Sequence, residues 1–497
     1  MQRSNPTIER GLGEHEPPTM PAAASETIVA DLCIIGGGAG GLSVASTAVQ
    51  LGLNVVLIEK HKMGGGRLND ACVPSKALIA AARRAHFMRT SAGFGIAPVN
   101  PQIDQRAVHA HIKDVIASIA PNDSAERFAG LGVHVIHGAA SFADKATVVA
   151  GDSRIKARRF VIATGSTPAI PPIAGLDSVP YFTHETIFDN RQKIDHLVVI
   201  GGGPTGLELA QAYQRLGSRV TVLEAVKALG DHDSELSEVV LRHLQAEGLD
   251  VREGARVEQV RPAHGGAHVA FATAAGTEVL ECSHVLLATG RTPALEDLNL
   301  EAGGIKYDRR GIQVNKGLVT SNSRVFAIGD VIGGAQFTHV ATHHANIVLR
   351  RVLFRLPATV RATDLPWVAF TDPELAHVGL TEQAARDRHG QINVFRWPLH
   401  ENDRAQAERT KDGFVKAVTD KKGRILGASV VGSQSGELIQ VWSLAISQGL
   451  KITAMTRWVA PYPTLGEVNT RAALGYYALA AGNPLVRKVS AILRQLG

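Results

Sequence analysis

Two glycine-rich segments hold the residue types and spacing that point most directly to chemistry. Gly36-Gly37-Gly38-Ala39-Gly40-Gly41 follows the apolar run Ile28–Ile35 and leads to Val55-Val56-Leu57-Ile58-Glu59. Gly201-Gly202-Gly203-Pro204-Thr205-Gly206 follows His196–Ile200 and leads, at the same spacing, to Val220-Thr221-Val222-Leu223-Glu224. In each G-x-G-x-x-G the first glycine makes the tight turn out of a strand. The second lets backbone approach a pyrophosphate, and the third lets the following helix pack on the strand. The helix N-terminus offers unpaired N–H groups and partial positive charge to phosphates. The terminal Glu accepts hydrogen bonds from ribose hydroxyls. Two such units in one chain imply two bound dinucleotides.

The second chemical feature is a thiol. Only Cys33, Cys72 and Cys282 occur. They lack metal-ligand spacing, and an odd count argues against a secreted disulfide framework, so a reducing, cytoplasmic setting is expected. Cys72 opens the string Cys72-Val73-Pro74-Ser75-Lys76. A free cysteine can simply pack as a small hydrophobe. Arg67, five positions earlier, either holds Cys72 as a thiolate or points outward as a solvated loop residue. His339, His343 and His344 offer the i, i+4 pair that metal ligands need, but no carboxylate or thiol completes a set locally. No metal site is expected.

The elements that position these groups follow from length and patterning. At 497 residues, with 45% hydrophobic residues, the chain has material for about three domains. Net charge is +6, and no Lys/Arg-rich run with interleaved aromatics occurs, so no nucleic-acid partner is expected. No run of 18 apolar residues exists to cross a membrane. Residues 1–27, rich in Pro, Ala, Ser and Glu, read as a disordered tail rather than a secretory signal. Val161-Ile162-Ala163-Thr164-Gly165 and Val285-Leu286-Leu287-Ala288-Thr289-Gly290-Arg291 are the strand-turn segments that close the two dinucleotide domains. Beyond 365, strand-like runs (Phe414–Val418, Ile425–Val431) alternate with helical stretches such as Gly436–Leu450. The expected fold is α/β, with two Rossmann-like dinucleotide-binding domains and a C-terminal α+β domain. The expected division is 28–175 (first dinucleotide domain, first part), 176–295 (second dinucleotide domain), 296–365 (first domain, second part), 366–480 (α+β domain) and 481–497 (terminal helix).

Gly64-Gly65-Gly66-Arg67-Leu68-Asn69-Asp70-Ala71-Cys72-Val73-Pro74-Ser75-Lys76 resembles the redox segment of the pyridine nucleotide–disulfide oxidoreductases. That family includes dihydrolipoamide dehydrogenase, glutathione reductase and mercuric reductase. Thr320 to Asp330 resembles its second flavin motif, and the resemblance spans about residues 28–480. It implies FAD on Gly36, Gly38, Ala39, Gly40, Gly41, Glu59, Lys60, Lys76, Gly138, Ala163, Thr164, Gly165, Asp330, Phe337, Thr338 and His339. It implies a nicotinamide dinucleotide on Gly201, Gly203, Pro204, Thr205, Gly206, Glu224 and Gly290. Glu224 would repel a 2′-phosphate, and Ala225-Val226-Lys227 supply no arginine cluster, which favours NADH over NADPH.

The resemblance also assigns roles. Cys72 matches the thiol that sits against the flavin. Lys76 and Glu208 match an ion pair near flavin N5, where a lysine supports negative charge on the reduced ring. The family's dimer brings a C-terminal His, oriented by a Glu, to the partner's flavin. Here Tyr462 replaces that His while Glu467 remains. A tyrosine, with an unperturbed pKa near about 10, is a poor proton shuttle at neutral pH. Mercuric reductases and related FAD/NAD oxidoreductases also have Tyr here, and Asp372-Pro373-Glu374-Leu375 and Asn402-Asp403-Arg404-Ala405 look like that branch. Family members carry a second cysteine where Arg67 stands, and an arginine forms no disulfide. The implied function is hydride transfer from NADH to FAD and on to a quinone, oxygen or another small oxidant, in a homodimer. One alternative acts through the single thiol Cys72, as a dihydrolipoamide dehydrogenase or mercuric reductase homologue. Another is a redox-responsive flavoprotein without turnover.

The chain ends in a basic amphipathic segment. Asn483 can cap it and Pro484 suits its first turn. Leu485, Val486, Val489, Ile492, Leu493 and Leu496 share one helical face, with Arg487, Lys488 and Arg494 mostly off it. This stripe either packs on the chain's own C-terminal domain or lies weakly on an anionic membrane surface, peripheral to its inner face.

Overall fold

The computed structural model describes residues 27–481 and 484–495. All but the last residue of the expected tail 1–27 lies outside them, as do Asn483 and Leu496.

The Val/Ile-rich run Thr27–Ile35 becomes the central strand of the first sheet, paired in parallel with Val55–Glu59 on one side and Ser153–Ile162 on the other. Such runs suit a parallel sheet because both faces are covered. His134–His137 extends the sheet beyond Val55–Glu59. On its far side, Ser153–Ile162 pairs antiparallel with Thr147–Ala150 at its start and parallel with Val325–Ala327 at its end. The late strand Val325–Ala327 therefore delivers Asp330 to the same carboxyl edge as Gly36 and Ala163. Ligands of open α/β sheets bind at that edge.

A second sheet is entirely parallel, in the order Asp250–Arg252, Arg219–Leu223, His196–Ile200, His284–Leu287, Tyr181–Thr183. A three-stranded antiparallel meander over 256–282 packs beside it. The chain leaves the first domain and returns through a two-stranded ribbon, Ser166–Pro168 against Arg291–Pro293. That ribbon ties the two dinucleotide domains together at their closing turns.

The C-terminal domain is a five-stranded antiparallel sheet: Trp367–Ala369, Glu374–Gly379, Ile425–Gly432, Phe414–Asp420, Ile392–Pro398. Its helical cover includes the expected 436–450 stretch, which the structure splits into Ser435–Leu438 and Gln440–Ser447. Trp442 is fully buried there, its Nε1 donating to Asn469 Oδ1 at 2.7 Å. The fold class is thus the α/β arrangement of two Rossmann-like domains and an α+β domain expected above.

The terminal helix forms over Pro484–Leu493. Leu485, Val486, Val489, Ile492 and Leu493 on its apolar stripe stand 43–71% exposed, and the helix meets the chain at the preceding helix Glu467–Ala481 of the C-terminal domain. Among the described residues no helix is long and apolar enough to cross a membrane.

Candidate active site

The two glycine loops are built alike. Gly36 and Gly201 adopt φ +109° and +111°, a region that favours glycine. A Cβ on Gly41 or Gly206 would run into the carbonyl of Gly36 or Gly201, so the third glycine sets how closely helix approaches strand. A Cβ on Gly203 would meet nothing, and one on Gly38 only the edge of Gly65, which leaves the open cradle a pyrophosphate needs. Helices Ala39–Gln50 and Pro204–Arg215 both start without a side-chain cap. Ala39, Gly40 and Thr205 of these first turns line the cleft, where uncapped N–H groups are available to phosphate oxygens.

The acids are fixed in the same way. Gly37 N–H donates to Glu59 Oε2 at 2.6 Å and His61 N–H to Oε1 at 2.7 Å. Gly202 N–H donates to Glu224 Oε2 at 2.7 Å and Val226 N–H to Oε1 at 2.9 Å. Each carboxylate is held by two backbone donors and keeps lone pairs for a ribose diol. A cavity of about 1920 Å³ joins both loops. This exceeds the roughly 300–1,000 Å³ of a single-ligand pocket. Its walls include every residue expected above to hold FAD or the nicotinamide dinucleotide except Gly41 and Gly206, which pack behind it. The donor set and cradle fit two dinucleotides.

On the wall of that cavity, Lys76 Nζ lies 2.8 Å from Glu208 Oε2. Glu208 is buried, and Phe370 N–H donates to its other oxygen at 2.9 Å. Lys76 Nζ also stands 4.2 Å over the Phe370 ring. One ion pair thus joins the helix Cys72–Thr90, the second dinucleotide domain and the C-terminal domain. Cys72 is exposed to the cavity at the start of its helix, its Sγ 3.3 Å from Thr338 Oγ1. The other two thiols are buried; burial pushes the Cys33 thiol up, and Cys282 to about 11.

Arg67 pairs through its guanidinium with Asp123, 56 residues away, a partner that neither sequence reading named. Arg67 lines the cavity, and both partners are largely sheltered, 29% and 14% exposed.

Tyr462 and Glu467 do not line the cavity of their own chain. Tyr462 is 72% exposed and donates its hydroxyl to Asp403 Oδ2 at 2.8 Å, a bond that raises the phenol above its usual range. Glu467 accepts from Arg471 Nε and Nη2 at 3.0 and 2.8 Å. The hydrogen-bond partner of the Tyr462 hydroxyl is thus Asp403, while Glu467 pairs with Arg471. Of the three clustered histidines, His339 Nε2 contacts Pro366 O at 2.6 Å and His344 Nδ1 accepts from Gly329 N–H at 3.2 Å. Among the described residues no group of three or more His, Cys, Asp or Glu could hold a metal.

Sequence reasoning passed over a polar chain at the ribbon. Ser166 Oγ donates to Asp330 Oδ2 at 2.6 Å, and Arg291 Nε donates to Ser166 Oγ at 2.6 Å. Arg291 also reaches Glu185 at 3.1 Å and His184, whose pKa burial and that arginine lower to about 4. Arg291 directly follows the Ala-Thr-Gly turn, so its place after that motif was the available signal.

Residues 30–345 match the pyridine nucleotide-disulphide oxidoreductase family, and residues 365–473 match its dimerisation domain. Mercuric reductase of Lysinibacillus sphaericus is 32% identical over 449 residues, covering 90% of this chain and 82% of the relative. Dihydrolipoyl dehydrogenase of Thermus scotoductus is 35% identical over 454 residues, covering 88% and 95%. Among solved structures, LpdA of Mycobacterium tuberculosis superposes with TM-score 0.82 at 27% identity, covering 90% of this chain and 99% of that one. The HOCl-induced flavoprotein disulfide reductase RclA of Escherichia coli gives 0.80 at 27%, covering 89% and 99%. Two dinucleotide cradles, a Lys–Glu pair between them and this kinship lead to one conclusion: the chain belongs to the pyridine nucleotide–disulfide oxidoreductases, enzymes that use FAD and a nicotinamide dinucleotide.

Proposed function

We propose that this enzyme takes hydride from NADH and passes it, by way of FAD, to a small acceptor such as a quinone, without an internal disulfide relay. One observation carries the reading. Where a relay needs a second thiol, Arg67 stands, and its guanidinium is committed to Asp123. Cys33 and Cys282 are buried and offer no substitute. The reductive half keeps its parts: both glycine loops, both pinned carboxylates and the Lys76–Glu208 pair.

FAD, when bound, supplies a two-electron carrier between nicotinamide and acceptor. The chain's own residues do the rest. Glu59 and Glu224 fix the two riboses, and the uncapped helix starts hold the pyrophosphates. Asp330, steadied by Ser166, offers a carboxylate oxygen to the ribitol chain. Lys76, kept in place by Glu208, presents positive charge where the reduced ring becomes negative. Glu208 is itself sheltered, so the pair is not dissolved by solvent screening as a surface pair is.

In this reading the protein works as a cytoplasmic homodimer whose C-terminal domain carries Tyr462 and Glu467 to the partner's cavity. Their position outside their own cavity, and the exposure of Tyr462, support that. The exposed stripe Leu485, Val486, Val489, Ile492 and Leu493, beside Lys488 and Arg494, supports weak contact with an anionic membrane surface, where quinones partition. Steady-state NADH oxidation over an acceptor panel tests the function. Turnover with quinones and little with lipoamide, glutathione disulfide or Hg(II) is expected. A protein that reduces lipoamide or Hg(II) at rates normal for the family, or whose NADH oxidation no acceptor of the panel supports, would overturn it.

A further inference from the structure

Arg67 is more than a missing cysteine. It sits on the short helix Gly65–Asn69, five residues before Cys72, on the wall of the shared cavity. Asp123 holds one end of its guanidinium. Its Nε is buried and has no hydrogen-bond partner. An unpartnered donor on a cation is costly, and the part of the Arg67 side chain that stays exposed on the cavity wall leaves the cation open to a ligand. The rest of this wall comes from helix Gln105–Ile119, where His111, Val115 and Ile119 recur at i, i+4 and i+8 and so share one face. The wall therefore combines apolar surface for a flat ring with a fixed, sheltered cation.

Resting on the flavin-to-acceptor reading above, we propose that Arg67, steadied by Asp123, binds the oxygen on which a quinone acceptor gains negative charge, and so selects acceptors whose reduction gives an oxyanion. The balance is simple. A quinone takes one hydride, delivered from the flavin that NADH has reduced, and becomes a quinol monoanion. The phenolate oxygen of that monoanion then takes a proton from water. Guanidinium donors meet a phenolate with charge-assisted hydrogen bonds, which are shorter and stronger than those to the neutral carbonyl. Arg67 thus favours the product-like state over the ground state, which is the condition for raising the rate rather than merely the affinity.

The test uses FAD-loaded protein. In its oxidised form and without NADH, titration calorimetry measures binding of the anionic 2-hydroxy-1,4-naphthoquinone, so the readout is an affinity and not turnover. Arg67→Met should weaken binding by about tenfold or more, the loss expected for a hydrogen bond to a charged group, and Arg67→Lys should recover a good part of it. Anaerobic bleaching of the flavin by NADH should stay at the wild-type rate in both variants, while reoxidation by menadione slows in Arg67→Met. If Arg67→Met does not retain FAD, the double variant Arg67→Gln/Asp123→Asn removes both charges at similar volume and should show the same loss. Wild-type affinity and reoxidation in the neutral variant would overturn the role of Arg67 and leave the proposed function standing. Failure of any quinone to reoxidise the wild-type flavin would overturn both.

Discussion

Glu224 offers the sharpest quantitative test of cofactor choice. Its carboxylate is positioned by Gly202 N–H at 2.7 Å and Val226 N–H at 2.9 Å, leaving acceptor capacity for the 2′- and 3′-hydroxyls of an adenosine ribose. A hydrogen bond to a charged group contributes about 1.5–3 kcal/mol. The residue is only partly buried, so water competes, and we take one such bond as the net loss. Glu224→Ala should then raise the KM for NADH by about 10- to 150-fold at 1.4 kcal/mol per decade, with kcat nearly unchanged, because the contact is equal in ground and transition states. Removing the charge also relieves repulsion of a 2′-phosphate, about 1–3 kcal/mol for unit charges 5 Å apart at intermediate dielectric. Glu224→Ala/Val226→Arg should therefore turn the preference toward NADPH, since Val226 is exposed at the loop edge. Initial rates against both nucleotides, with Glu224→Gln as a neutral isostere, decide it. Wild-type preference for NADPH, or an unchanged KM for NADH in Glu224→Ala, would refute the reasoning.

Three other outcomes are expected. His184 and His344 are buried with pKa values lowered to about 4, from 6.5. The unfolded chain binds these protons between about pH 6.5 and 4 and the folded one does not, so stability rises with pH across that window. From pH 7 to pH 5 each should cost about 2 kcal/mol, visible as a falling Tm by calorimetry; a flat Tm would contradict it. Light scattering should report a dimer at micromolar concentration, and Tyr462→Phe, which deletes the hydroxyl bonded to Asp403, should change acceptor kinetics; a monomer, or unaltered kinetics with every acceptor, counts against the shared site. Anionic liposomes should co-sediment the full chain at low salt and less at high salt, with about 1 kcal/mol per cation at stake. A version ending at Gly482 should not bind, and equal partitioning of the two would remove the membrane contact.

The sequence made the dinucleotide cradles legible because they are local. A turn glycine, a packing glycine and a terminal Glu are tied by strand and helix geometry, and Glu59 and Glu224 duly accept from matching backbone donors. Lys76 and Glu208 were legible only through the resemblance, since 132 residues separate them. The partner of Arg67 was not legible: Asp123 lies in a short turn after helix Gln105–Ile119, and no spacing rule links it to the glycine loop. The same holds for Asp403, the partner of the Tyr462 hydroxyl. Glu467 and Arg471 are four apart on one helix, so their pairing could have been foreseen. The partners of the histidine cluster were not legible either: His344 accepts from Gly329 N–H and His339 contacts the carbonyl of Pro366.

The most direct test of the central claim is the reoxidation of NADH-reduced flavin by a quinone in Cys72→Ser, followed anaerobically by stopped flow. If electrons pass from flavin to acceptor without a thiol, the serine variant should stay within about tenfold of wild type, because a lost thiol contact is worth about 1.4 kcal/mol or less. A collapse of reoxidation by several orders of magnitude, with flavin reduction intact, would show that Cys72 carries the electrons and that the account is wrong.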